Sequence, residues 1–416
     1  MRGIAALAPF RTRSFRFQWP ADLLTAWALE METLILGWYV LVETGSVVLL
    51  TVFGSLQFVG TLVSPMLGVL GDRMGLRNVL AAMRLCYAVC ASMLLALSMS
   101  GRLEPMLVLV IAALSGLVRP SDIGLRSALV GATVPRDQLV AAMGISRTTQ
   151  DSARVGGALA GASFMASFGM GPAYMLITGI YLGGALLTLL IGRGNREAPP
   201  ADARSSEKLS AWRDLKEGLV YVWRTPRLMA AISLAALVNL TAFPLTGGLM
   251  PYIARDVFHL DQKGLGLLVA SFATGSFIGS VTLSLLGTRI RPARTMLATC
   301  VVWYICLMGF VLSRSLPVAM GLLLFAGIAQ SFSMISLAII LLRTSEERFR
   351  GRIMGVRMLA IYTLPLGLLA AGAMIPHIGY PATATIFVVS GLLLTLEIAV
   401  TWRRDLISRD AVGNAG

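Results

Sequence analysis

The chain has 416 residues, 56% of them hydrophobic and only 13% charged, where an ordinary soluble domain carries about 25% charged residues. Such a balance argues against a soluble globular protein. The net charge of +14 would suit a nucleic-acid partner if the basic residues shared one surface, and their distribution shows that they do not.

Twelve apolar runs long enough to cross a bilayer recur at 21–42, 47–70, 79–99, 105–129, 139–167, 172–192, 228–254, 263–286, 294–313, 317–342, 352–375 and 380–402. With the N-terminus placed inside, all but eight of the 35 Lys and Arg fall in inner segments. Arg102, Arg255, Lys263 and Arg314 lie in outer loops, and Arg84, Arg119, Arg147 and Arg154 at membrane depth. This asymmetry is the positive-inside pattern. The basicity therefore reports orientation, with both termini cytoplasmic in a cell (inner or plasma) membrane, and no nucleic-acid partner is expected.

Arg2, Arg11, Arg13 and Arg16 precede a full-length span rather than a short apolar stretch with a cleavage site, so no cleaved signal peptide is expected. The first span carries Trp27, Glu30, Glu32 and Trp38. Glu30 and Glu32 stand about 200° apart around a helix. Desolvation favours the protonated form of a carboxyl, which suits a group that binds and releases protons. A fixed salt bridge to Arg84 or Arg119 is the alternative. Between the second and third spans lies "GVLGDRMGLRNVL" (68–80), three glycines around Asp72 and Arg73 with Arg77 following. Glycines permit close packing and a tight reversal, and the exposed Asp72 carboxylate would meet Arg126 or the positive N-terminus of the eleventh span near Arg352.

The fourth span holds Arg119-Pro120 and Asp122, with Asp122 or Glu30 as intramembrane partner for Arg119. The fifth contains "SRTTQDSAR" (146–154), in which Arg147, Asp151 and Arg154 fall at i, i+4 and i+7 on one stripe. Each charge near mid-bilayer costs about 2.5–3.5 kcal/mol on insertion scales. The stripe therefore faces a cavity or another helix, with Asp151 neutralising one Arg. Gly156, Gly157 and Gly161 follow and allow close helix packing.

One long polar interruption, 193–227, separates 1–192 from 228–416, six spans on each side. Its second half places Trp212, Leu215, Leu219 and Val222 on one helical face, suited to lying on the inner membrane surface; an ordinary solvated linker helix is the alternative. The halves look related: "MGI" (143–145) matches "MGV" (354–356) and "AGA" (160–162) matches "AGA" (371–373), both at an offset of 211. Duplicated six-helix bundles related by an axis along the membrane normal follow. The fold class is an all-α polytopic membrane protein with twelve transmembrane helices.

The stretch 68–80 resembles the second-loop signature of the major facilitator superfamily, G-x-x-x-D-R-x-G-R-[KR], through Gly68, Asp72, Arg73, Gly75 and Arg77, with Leu76 at the first basic position after the second Gly. "FRFQW", 119–161 and "SEERFRGRIMGV" look like the subgroup of enterobactin-exporter and macrolide-efflux-type carriers. "SARVGGALAG" is similar to the antiporter motif G-x-x-x-G-P-x-x-G-G at Gly156 and Gly161, while Ser152, Gly157 and Ala160 stand for Gly, Pro and Gly. The resemblance implies alternating access, a conformational latch at Asp72, and a cavity-facing Arg119 tied to proton transfer. Candidate cavity residues are Trp27, Trp38, Arg147, Arg154, Asn239, Phe243 and Gln330. Glu30, Glu32, Arg119, Asp122 and Asp151 are the proton-coupling candidates.

Neither an enzyme nor a cofactor is expected, since no phosphate loop, metal cluster or nucleophile constellation appears. The reading is a monomeric, proton-coupled exporter of a small amphipathic siderophore or drug. An uptake symporter on the same fold and a non-transporting scaffold are the alternatives.

Overall fold

A computed structural model describes residues 8–61, 70, 74–135, 138–192, 211–286, 290–346 and 349–407. These are almost entirely helical: α1 Arg13–Thr44, α2 Val47–Leu56, α3 Leu76–Met99, α4 Pro105–Thr133, α5 Leu139–Phe168, α6 Met170–Leu189, α7 Ala211–Arg224, α8 Pro226–Thr241, α9 Gln262–Leu286, α10 Pro292–Leu312, α11 Leu316–Thr344, α12 Arg350–Ile361 and α13 Thr363–Thr401. Among the described residues eight helical stretches are long and apolar enough to cross a bilayer, and two more are apolar but shorter. The longest, Gly351–Thr401 with 51 residues, would span about 75 Å at 1.5 Å per residue, far more than one crossing needs. Gly379, at φ 78 and ψ 163, breaks it, a backbone region that favours glycine, so it contributes two crossings. The polar α5 falls outside the eight because of its 146–154 stretch.

The chain divides into two compact units, Met1–Glu207 with Leu260–Gly266, and Lys208–His259 with Leu267–Gly416. In the first, α1 packs against α2, α4, α5 and α6, and α3 against α4 and α6. In the second, α8 packs against α11, α12 and α13, and α10 against α11 and α13. The neighbours recur in the same order.

Within a bilayer, helix association rests on close packing rather than on burial of apolar area, so small residues decide where backbones meet. A methyl group on Gly60 would overlap the Leu117 carbonyl, and one on Gly116 the Leu56 carbonyl, fixing the crossing of α4 with the chain at the end of α2. In the second unit Gly275 faces the Leu324 carbonyl and Gly327 the Phe272 carbonyl, fixing α9 on α11. Gly116 and Gly327 are 211 residues apart, the offset of the sequence repeats. Gly156 against the Trp27 ring and Gly367 against the Leu240 carbonyl repeat that spacing for α5 on α1 and for the α13 crossing on α8.

The amphipathic α7 docks on α12 within the second unit. Glu217 pairs with Arg352 at 3.0 Å, Tyr221 stacks on Phe349 at 4.4 Å, and Gly218 lets the Arg352 backbone approach. Leu219 and Trp223 remain exposed, and the side chains of Trp212 and Leu215 lie outside the described residues. This helix is therefore held by side-chain contacts as well as by any surface it rests on.

Gly327→Ala should lower stability by about 1–3 kcal/mol through overpacking against the Phe272 carbonyl. Gly321→Ala in the same helix, where a methyl group meets nothing within 4 Å, should be neutral or stabilising by about 0.5–1 kcal/mol. Thermal unfolding in detergent micelles measures both.

Candidate functional site

Charge in the first unit is arranged around α1. Asp22 on α1 pairs with Arg84 on α3, and both side chains are buried. Arg84 also donates to the Thr188 hydroxyl on α6, so three helices meet at one guanidinium. Thr188 in turn donates to the Gly184 carbonyl at 2.7 Å. In the second unit, where α10 packs on α13, a neutral contact is found: the Cys300 thiol lies 3.8 Å from the Thr395 hydroxyl, and Thr395 donates to the Gly391 carbonyl at 2.7 Å. Arg84 is thus engaged by Asp22, not by Glu30 or Glu32.

On α4, Arg126 sits 3.0 Å from Asp122 one turn earlier, close as an ion pair but without hydrogen-bond geometry. The Arg126 carbonyl accepts from Gln18 of α1 at 3.1 Å. The sequence offers Arg126, or the positive N-terminus of the eleventh span, as the partner of Asp72. The Arg126 guanidinium is buried beside Asp122, and Gly68, Asp72 and Arg73 lie outside the described residues. Gly75 caps α3 at φ 87 with open space around it, so the turn rather than close packing calls for glycine there. Arg77, read from sequence as an orientation signal, does further work. Its Nη1 donates to the Ile191 carbonyl at 3.1 Å and the Leu189 carbonyl at 3.4 Å, binding the negative C-terminal end of α6.

Arg119 meets neither Asp122 nor Glu30. It donates to the Thr33 hydroxyl at 2.9 Å and to the Gln57 amide oxygen, joining α4 to α1 and to the residue that ends α2. On α5, Asp151 is buried 3.5 Å from the largely exposed Arg147. Arg154, 38% exposed, lies 3.9 Å from Glu30, 30% exposed. Trp27 is exposed beside that pair, its ring over Gly156 and its backbone against Gly157, while Gly161 receives Met31. Trp27, Glu30, Arg147 and Arg154 therefore share the open face of α1 and α5.

Glu32 points elsewhere. It is 7% exposed and accepts a 2.6 Å hydrogen bond from the Tyr181 hydroxyl of α6. Among the described residues no cation lies within 4 Å of it, whereas Asp22, Glu30, Asp122 and Asp151 each have an Arg at that range. The remaining cavity candidates are packed into their own units. Trp38 is buried, Asn239 is buried and donates to the Ala235 carbonyl at 2.8 Å, and buried Gln330 accepts from Ser276 at 2.6 Å. Phe243, half-buried, meets Trp303 edge-on at 5.2 Å. Sequence reasoning missed Asp22, Gln57, Thr188 and Tyr181 because each acts through a partner more than 60 residues away.

Two helical units, the first with paired charges at membrane depth and an open polar face, define a polytopic membrane carrier. Residues 4–414 match the transmembrane secretion effector family, and the chain belongs to that family of major facilitator transporters. It is a transporter, not an enzyme. Macrolide efflux protein A of Streptococcus pyogenes is 23% identical over 278 residues, 65% of this chain and 67% of that one. Solved structures share the fold. A nucleoside transporter gives a TM-score of 0.76 at 12% identity, covering 93% of this chain and 99% of its own. A bacterial homologue of the human lysosomal transporter Spinster gives 0.71 at 14%, covering 97% and 98%, and a D-xylose-proton symporter 0.69 at 11%, covering 92% and 96%.

Removing one member of a buried ion pair strands the other, at a cost of about 3–5 kcal/mol. Arg84→Met should therefore unfold far more readily than the parent in a detergent melt. The double change with Asp22→Leu should recover most of the loss.

Proposed function

We propose that the protein is a proton-driven exporter of small amphipathic compounds of macrolide or siderophore type, working by alternating access as a monomer in the cell membrane with both termini cytoplasmic. The observation that carries this reading is Glu32, a buried carboxyl at membrane depth that accepts from a tyrosine hydroxyl and, among the described residues, has no cation within 4 Å. An uncompensated buried carboxylate is expensive, and a carrier that loads and unloads a proton there relieves that cost in each cycle. The open face formed by Trp27, Glu30, Arg147 and Arg154 supplies an aromatic surface and exchangeable charges for an amphipathic solute. The efflux function in the name of the streptococcal relative favours the outward direction. One proton moving through about 150 mV supplies about 3.5 kcal/mol, enough for a few-hundred-fold solute gradient.

In proteoliposomes with an imposed pH gradient, a radiolabelled macrolide should accumulate in the acidic compartment. Glu32→Gln should cut this coupled accumulation at least tenfold while gradient-free counterflow persists, and Glu30→Gln should alter solute affinity more than coupling. Accumulation on the alkaline side indicates symport and overturns export. Full coupling in Glu32→Gln overturns the proton site.

A further inference from the structure

Thr178 differs from five other helical threonines. Thr25, Thr33, Thr188, Thr241 and Thr395 each donate to the carbonyl four residues earlier, as helical threonines commonly do. The buried Thr178 hydroxyl has no partner among the described residues, and neither does that of the fully buried Tyr174. With Tyr181 these residues stand at i, i+4 and i+7 of α6, so their side chains line one face. The row covers about 10 Å and ends at the carboxylate that Tyr181 already touches. Phe, Val and Phe would fill the same space without orphaned hydroxyls, so a purely structural face has no use for them.

We propose that Tyr174, Thr178 and Tyr181 form a hydroxyl row that carries protons to and from Glu32, entering at the α6 end that begins after Gly169, with ordered water between successive hydroxyls. Each hydroxyl accepts a proton from the group behind and releases its own proton onward, so it ends unchanged and the carboxylate becomes the acid. Buried polar groups that lack a protein partner are commonly satisfied by such water. The other groups facing Glu32 are Tyr87 and Cys90 of α3 and Arg119 of α4. Tyr87's ring lies 5.5 Å from that of Tyr181, and Arg119 is held on Thr33 and Gln57. Glu30 and Trp27 lie on the far side of α1 with α5. The proton therefore reaches Glu32 through the interior of the first unit, separately from the solute. This inference rests on Glu32 as the proton site.

The test uses the purified full-length protein and no substrate. After a pH jump, time-resolved infrared spectroscopy follows the C=O band of the protonated carboxyl. Tyr174→Phe and Thr178→Val should keep the band and its midpoint but fill it at least tenfold more slowly, with Thr178→Ser restoring the rate. Tyr181→Phe should move the midpoint and the band frequency, because the donor to the carboxyl is gone. Parental rates in both Tyr174→Phe and Thr178→Val, or the same slowing in Tyr87→Phe, overturn the row while leaving Glu32 in place. A band that survives Glu32→Gln overturns the proton site itself.

Discussion

The pair of Asp22 and Arg84 is the contact on which the first unit depends. It joins α1 to α3 and, through Thr188, to α6, with both side chains buried. A buried pair of this kind contributes little net stability over a well-packed apolar substitute. What it fixes is register, because a guanidinium whose two terminal nitrogens are held by one carboxylate and one hydroxyl restricts how the three helices can meet. The other charges of the unit follow from that register. Once α1 is set, Glu30 turns outward to Arg154 and Glu32 turns inward to Tyr181.

Packing supplies the second constraint. Glycine brings the chain after α2 onto α4, α5 onto α1, and their repeat partners together, at positions where any side chain would meet a backbone carbonyl, a ring or a neighbouring backbone. These contacts are stiff and local, and they carry no charge. The unit thus separates two roles. Small residues hold the helices, and the polar residues between them remain available for chemistry.

Hydropathy made the all-helical membrane fold legible, because in lipid the backbone must be satisfied within each helix and composition alone then marks long apolar helices, eight of which are found among the described residues. Pairs within one helix were equally legible: Asp151 with Arg147 follows from spacing of four, as does Asp122 with Arg126, although the sequence reading assigned Arg126 to another partner. Pairs between helices were not. Nothing in the local pattern says that Arg84 belongs to Asp22 rather than to Glu30, or that Arg119 would choose Gln57 and Thr33 over a carboxylate. Arg77 shows the limit from the other side. Its charge was visible as an orientation signal, but its bonds to the end of α6 depend on a helix terminus more than a hundred residues away.

Where α3 packs on α6 the first unit sets Arg84 on Thr188, and where α10 packs on α13 the second sets Cys300 on Thr395, each threonine leaning back on a glycine carbonyl. The two halves therefore face different evolutionary terrain. A thiol can drift to Ser, Ala or Val one step at a time, with each intermediate still folded. An arginine matched to a buried aspartate can leave only if both change together, or nearly so, because either single step passes through a stranded charge. Substitutions should accumulate freely at this contact in the second half and arrive as linked pairs in the first.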